Sequence, residues 1–246
     1  MAIARNHELF KRIVKSYWEY YRELEDEFLQ TRRYVDFSKR NYSTFSIEFL
    51  KLYQAVCSEI DVLGKAMASI ADSSFKAEDK QNNILKWWFI IQNAFVVSEE
   101  AFSKLNPAPS TMQISLIDYK CFLLDDIEVI PWKGFIVEQR INKRQSVYFT
   151  PVEGSAVPSW WKDYNSVKHN RISLSSTMIN YEKANLGNLI YAFSALYILE
   201  KAFLDTVGEK DDLQTFIDYS RLFDKQRVYT NDEMDSLFDY YSRVNQ

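Results

Sequence analysis

His169 is one of only two histidines in the chain. It lies near the end of a segment rich in polar and cationic groups, Pro158-Ser159-Trp160-Trp161-Lys162-Asp163-Tyr164-Asn165-Ser166-Val167-Lys168-His169-Asn170-Arg171. An imidazole titrates near neutrality, so it can both take and return a proton. With Lys162, Lys168 or Arg171 beside it, the ring could abstract the 2′-hydroxyl proton of RNA or protonate a leaving oxygen while the cation stabilises the crowded phosphate. That chemistry requires no metal. A plainer description fits the same residues, a structural histidine beside a solvated face of lysines.

The spacing predicts a helix capped by Ser159 behind Pro158, with Trp160, Tyr164, Val167 and Arg171 on a core-facing stripe. The other side carries Lys162, Asn165, Ser166 and His169. Lys162 and His169 are seven positions apart, nearly in line and two turns distant, with Asn165 between them to support the geometry. Trp160 and Trp161 could stack bases, but a tryptophan pair on the Tyr164 and Val167 face reads as core. A second candidate is Glu59, in Ser58-Glu59-Ile60-Asp61. It adjoins the apolar positions Val56, Ile60 and Leu63, where a carboxylate is costly to desolvate unless paired. Lys162, His169 or Arg171 are the expected partners, and a carboxylate that simply reaches solvent is the alternative. Arg140, Lys143 and Arg144 form a short basic cluster suited to phosphate contacts, or else the solvated tip of a hairpin.

Other chemistries find no support. There is no Walker A motif, no G-x-G-x-x-G and no G-x-S-x-G, and no Cys/His spacing suits a metal, so neither cofactor nor metal is expected. Cys57 and Cys121, the two cysteines, read as buried thiols of a cytoplasmic protein, and the N-terminal residues lack the pattern of a secretion signal. The net charge of -4 argues against indiscriminate binding to nucleic acid or anionic membranes. The most apolar run, Leu189 to Leu199, is too short to cross a bilayer, and no membrane partner is expected. Charge is unevenly spread: from Trp132 to Arg171 there are seven Lys/Arg against three acids, whereas 205–239 carries ten acids and four bases.

The elements that would position these groups follow from periodicity. Apolar residues at Phe10, Ile13, Val14, Tyr17, Tyr21, Leu24 and Phe28 predict a long amphipathic helix from about His7 to Val35, and a second pattern starting near Ser43 and running to Met67 predicts another, packed antiparallel to it. A third helix is expected over Ile84 to Leu105, stopped by Pro107 and Pro109. Short strands follow to about Phe149, the chain re-enters helix at Ser159, and a last apolar helix runs from about Tyr181 to Thr206, closed by Gly208. The expected fold class is mainly α, an antiparallel helical bundle with a small β-hairpin insertion in a single domain, the insertion at about 113–150 and an acidic helical tail at about 207–246.

The segment Trp160-Trp161-Lys162-Asp163-Tyr164-Asn165-Ser166-Val167-Lys168-His169-Asn170-Arg171 resembles a signature found in bacterial members of the HEPN superfamily (higher eukaryotes and prokaryotes nucleotide-binding). Ser58-Glu59-Ile60-Asp61 with Lys65, and the order of long helices, are similar to that group too. The resemblance implies a HEPN-like helical bundle, commonly a homodimer, and a metal-independent ribonuclease of toxin-antitoxin or phage-defence systems, with RNA as substrate and an antitoxin or defence-system protein as partner. The family's arginine, polar residue and later histidine correspond to Lys162, Asp163 and His169, so a lysine stands where the arginine is usual. The implied function is endoribonuclease action with His169 as acid/base, Lys162, Lys168 and Arg171 on phosphate, Asn165 supporting them and Glu59 bracing a cation. The alternative is a non-catalytic helical module for interaction or for nucleotide or RNA binding.

Overall fold

The computed structural model describes residues 7–79, 82–101, 110–124, 127–175, 178–207 and 220–223. Helix α1 spans His7–Thr31 and α2 spans Ile47–Ala71. Their connection holds a 3-10 turn at Lys39–Asn41, and Ser46 caps α2 by accepting from the Phe49 amide at 3.0 Å. The first two helices thus form where the apolar period places them. A short helix α3, Ile84–Ile91, begins at Asn83, whose side chain accepts from the amides of Leu85 and Lys86. Helices α4, Ser159–His169, and α5, Leu186–Val207, are the remaining α-helices among the described residues.

Aromatic contacts fix how the long helices lie. Phe28 stacks on Phe193 at 4.6 Å, Tyr21 meets Tyr197 at 6.0 Å and Tyr17 meets Phe203 at 5.7 Å. As α1 descends in number α5 ascends, so the two are antiparallel. The α2 to α5 contact is extensive, and with both starting at the same end they run side by side in the same direction.

The fold class differs from a mainly α bundle carrying one hairpin. Strands occupy Val96–Ala101 (β1), Ser110–Ser115 (β2), Cys121–Leu123 (β3), Ile127–Val129 (β4), Val137–Ile141 (β5), Val147–Pro151 (β6), Leu174–Ser175 (β7) and Met178–Ile179 (β8). Each pairs antiparallel with its sequence neighbour, giving two-stranded sheets β1-β2, β3-β4, β5-β6 and β7-β8. The protein is mixed α/β. The correction starts at the third helix, which ends at Ile91 rather than Leu105: the amides of Ala94 and Phe95 both turn back to the Ile91 carbonyl, and the β-branched pair Val96-Val97 enters a ladder opposite Ser115 and Ile114. A uniformly apolar run cannot by itself distinguish a buried helix from a buried strand. The β-rich region therefore begins at 96, well before 113. The expected acidic tail and the Gly208 stop lie outside the described residues, apart from 220–223.

That short segment is docked. Glu25 of α1 is fully buried, and its carboxylate accepts from the Tyr21 hydroxyl at 2.9 Å, from the Ser220 hydroxyl, and from the amides of Arg221 and Leu222 at 3.2 and 3.3 Å. Arg22 approaches the same group at 3.5 Å. Satisfying a buried carboxylate this completely is what makes its burial tolerable. Leu222 and Phe223 are thereby set against the core, with Phe223 stacked on Tyr197 at 4.9 Å.

A tryptophan cluster joins the strand-rich region to the helices. Trp88 stacks on Trp132 at 4.3 Å, Trp132 meets Trp160 edge-on at 5.2 Å, and Trp87 meets Trp161 edge-on at 6.4 Å. Each such pair contributes about 0.5–1.5 kcal/mol beyond its area burial. Trp87 reaches α2 only because position 64 is glycine. A Cβ at Gly64 would stand 2.7 Å from the Trp87 ring. Gly64→Ala is expected to lower stability by about 1–3 kcal/mol through overpacking, read as a fall in the urea midpoint with unchanged slope.

Candidate functional site

Helix α4 is held by its apolar side. Trp160, Trp161, Tyr164 and Val167 are buried, which agrees with the expectation that the tryptophan pair is core. The Trp160 indole donates to the Pro131 carbonyl at 3.0 Å, and the Tyr53 hydroxyl of α2 donates to the Trp160 carbonyl. Tyr164 meets Tyr53 edge-on at 6.0 Å, and its own hydroxyl pKa is pushed up to about 12, first by burial and then by the neighbouring Cys57 and Asp61. Cys57, fully buried against this helix, has its thiol pushed well up by burial, which nearby Lys168 partly opposes. Both cysteines are buried and neither is in a disulfide.

The helix start differs in detail. Pro158, not Ser159, is the N-cap, and its carbonyl accepts from the amides of Trp161 and Lys162 at 3.1 Å each. Ser159 is the first helical residue. At the other end the helix stops at His169, so the period that placed Arg171 beside Trp160 does not extend to it. Arg171 is exposed instead of inward.

On the solvent side the structure sorts the candidates into two sets. Asp163 and its neighbours are occupied: Lys183 lies 3.2 Å from one Asp163 oxygen and the Asn188 amide donates to the other at 3.1 Å. The Asn165 side-chain amide donates to the Trp161 carbonyl at 3.1 Å, and the Ser166 hydroxyl to the Lys162 carbonyl at 3.1 Å. These groups tie α4 to itself and to α5. Lys162, Lys168, His169 and Arg171 are exposed, and none of them forms an ion pair among the described residues. Lys168 lies over the Tyr164 ring at 5.5 Å. The helix thus offers one imidazole and two cations, Lys162 and Lys168, to solvent from a backbone fixed in the core, with Arg171 in the turn just past its end and Lys162 and His169 separated by about 10 Å along the axis.

Glu59 stands elsewhere. Positions 59 and 61 of α2 point about 200° apart around the helix, and the carboxylate turned toward α4 is Asp61, which accepts from the Trp87 indole at 3.1 Å and pairs with Lys65 at 2.5 Å. Glu59 is half-buried on the side facing Tyr17 of α1 and Glu200 of α5, both of which feel its charge. The expected pairing with Lys162, His169 or Arg171 is not made. Arg140, Lys143 and Arg144 also lie apart from α4, on the β5-β6 hairpin, which packs on α3 through Phe149 and Phe89. Arg140 is paired within its own strand to Glu138, and Lys143 and Arg144 occupy the turn. The first histidine, His7, opens α1, and its side-chain surroundings lie outside the described residues.

Sequence reasoning missed Glu200. It is fully buried in α5 with neither carboxyl oxygen hydrogen-bonded among the described residues. Burial, and then the charge of Glu59, raise its pKa well above the ordinary value. The signal available was a lone glutamate following the unbroken apolar run Ala195 to Leu199. No protein family, no curated protein and no solved structure matches this chain.

Because Glu200 holds its proton in the folded state at pH values where the unfolded chain has lost it, its contribution is fully present below the ordinary glutamate value of 4.5 and is lost as pH rises toward the raised folded value. Glu200→Gln removes that titration. Its melting temperature is therefore expected to gain on wild type progressively between about pH 5 and pH 8, measured by circular dichroism at both ends of the interval.

Proposed function

We propose that α4 is the working face of a metal-independent endoribonuclease. The observation that carries this reading is the coincidence, on one core-anchored helix and the turn that follows it, of an exposed imidazole at His169 with the exposed cations Lys162, Lys168 and Arg171, which form no ion pair among the described residues. His169 takes the proton of a ribose 2′-hydroxyl as that oxygen attacks the adjacent phosphorus. The P–O2′ bond forms, the P–O5′ bond breaks, and the leaving oxygen takes a proton from the imidazolium or from water. Lys168 and Arg171, one residue before and two after the histidine, counter the charge that builds on the phosphoryl oxygens, and Lys162 holds a neighbouring phosphate two turns away. Asn165 supports this through the helix, since its amide is engaged by the Trp161 carbonyl. Glu59 and the β5-β6 cluster have no part in it. The homodimer implied by the resemblance belongs to the same proposal, with RNA phosphates lying between the two cationic helices.

A second reading, an RNA-binding or interaction module without cleavage, is favoured by one observation: the polar groups one turn before the histidine, Asn165 and Ser166, are already bonded to α4's own carbonyls. The two readings part on one experiment. Purified protein is incubated with mixed cellular RNA in excess EDTA beside His169→Ala, which removes an exposed side chain and is expected to keep the circular dichroism spectrum. Cleavage reduced by about 10²-fold or more in the variant is the expected result. Equal cleavage by both, or none by either with RNA still bound, overturns the enzyme and leaves the binding module.

A further inference from the structure

One end of the molecule carries both exposed apolar side chains and unpaired positive charge. The connection between α1 and α2 and the connection between α4 and α5 meet there. Thr44 and Tyr42 accept from the amides of Leu186 and Gly187 at 2.8 and 3.0 Å, and Phe45 meets Tyr181 edge-on at 5.5 Å. The Tyr181 amide in turn donates to the Arg171 carbonyl at 3.0 Å, and that of Asn180 to Ser173 at 2.9 Å. From these adjoining loops project Tyr34, Ile47, Ile172 and Leu174, which are 88%, 71%, 87% and 75% exposed. Large apolar groups this open on two neighbouring loops mark a contact surface.

The charge is as uneven as the hydropathy. Residues 32–47 and 168–179 hold six Lys/Arg and one acid, Asp36, in a chain whose net charge is -4. Arg32, Arg33, Lys39 and Arg40 are all exposed and form no ion pair among the described residues. Of the acids near this end, Glu48 and Glu27 pair with Lys51 and Asp163 with Lys183, whereas Asp36 and Glu182 form no ion pair among the described residues and leave the balance positive.

We propose that this end is a docking surface for an anionic lipid bilayer. Three features select that occupant. A groove shades the side chains lining it, whereas these stand at 71–88% exposure and suit insertion into a soft, flat surface. RNA would use the arginines and offers nothing to Ile47, Ile172 and Leu174. A second copy of the chain set against this end would bring like charge to like charge. An anionic bilayer supplies both missing parts, an acyl boundary for the apolar side chains and negative headgroups for the cations, each worth roughly fivefold in affinity. Among the described residues no helix is long and apolar enough to cross a membrane, so the contact is peripheral. The chain's overall acidity disfavours indiscriminate adsorption and so orients it, leaving this end as the face that approaches. The proposal does not rest on the ribonuclease reading, although Lys168 and Arg171 serve in both.

Sedimentation of the full chain with vesicles tests it, comparing phosphatidylcholine alone with an equimolar mixture of phosphatidylcholine and phosphatidylglycerol. Wild type is expected to pellet with the mixed vesicles only. Arg32→Ala with Arg33→Ala is expected to weaken that binding about thirtyfold, and Ile172→Asp with Leu174→Asp to abolish it. His169→Ala is expected to bind as wild type does. Wild type that stays in solution with mixed vesicles at low salt, or an aspartate variant that pellets as well as wild type, overturns the proposal. So does a wild-type dimer that the aspartates convert to monomer, which assigns the face to a second copy. Loss of oligoribonucleotide binding in the arginine variant, with pelleting unchanged, assigns it to RNA instead.

Discussion

The packing of five of the six tryptophans against one another and against α2 is the interaction on which the rest depends. Trp87 and Trp88 from α3, Trp132 from the connection after β4, and Trp160 and Trp161 from α4 come from three separate parts of the chain and meet in one cluster. Large rings bury much area with few rotatable bonds, so a cluster of them specifies orientation as well as stability. Their polar edges are mostly directed: Trp87 to Asp61, Trp88 to the Phe135 carbonyl at 2.7 Å, Trp160 to the Pro131 carbonyl. Gln92 adds a two-way clasp to Val137, donating at 2.6 Å and accepting at 2.9 Å. These bonds tie the small sheets to the helical layer without any long sheet between them.

From that anchoring follows the character of α4. Its tryptophans fix the helix axis and rotation, so the residues left for solvent are set by the period alone. The result is a rigid presentation of Lys162, Lys168 and His169 rather than a cleft. The RNA contact proposed for this helix would leave enclosure to the partner.

Three glutamates at the α1, α2 and α5 contact show how burial alone does not decide the state of a carboxyl. Glu25 and Glu200 are both fully buried, yet Glu25 gathers hydroxyl and amide donors and an arginine, whereas Glu200 has none among the described residues and lies near the charge of Glu59. The first stabilises the docking of a distant segment. The second carries a cost that rises with pH.

Much of the helical part was legible in the chain. The repeat of Tyr17, Tyr21, Leu24 and Phe28 dictates an amphipathic helix wherever it folds, and the Trp160, Tyr164 and Val167 stripe determines which face of α4 is buried and leaves Lys162 and His169 outside. Those are local consequences of a 3.6-residue period. What the period could not decide was the end of α3 at Ile91, because an apolar run satisfies helix and strand alike until a partner strand is found, and β1 found β2. Nor could it pair Glu59, since the choice between α4 and α5 as neighbour depends on how α2 is rotated, which the Trp87 contact at Gly64 fixes. The gathering of Arg32, Lys39, Ile47 and Leu174 at one end is likewise invisible in order of sequence. Local pattern determined the elements and their faces; which faces meet was decided by long-range contacts between aromatic rings, and those exist only once the chain has folded.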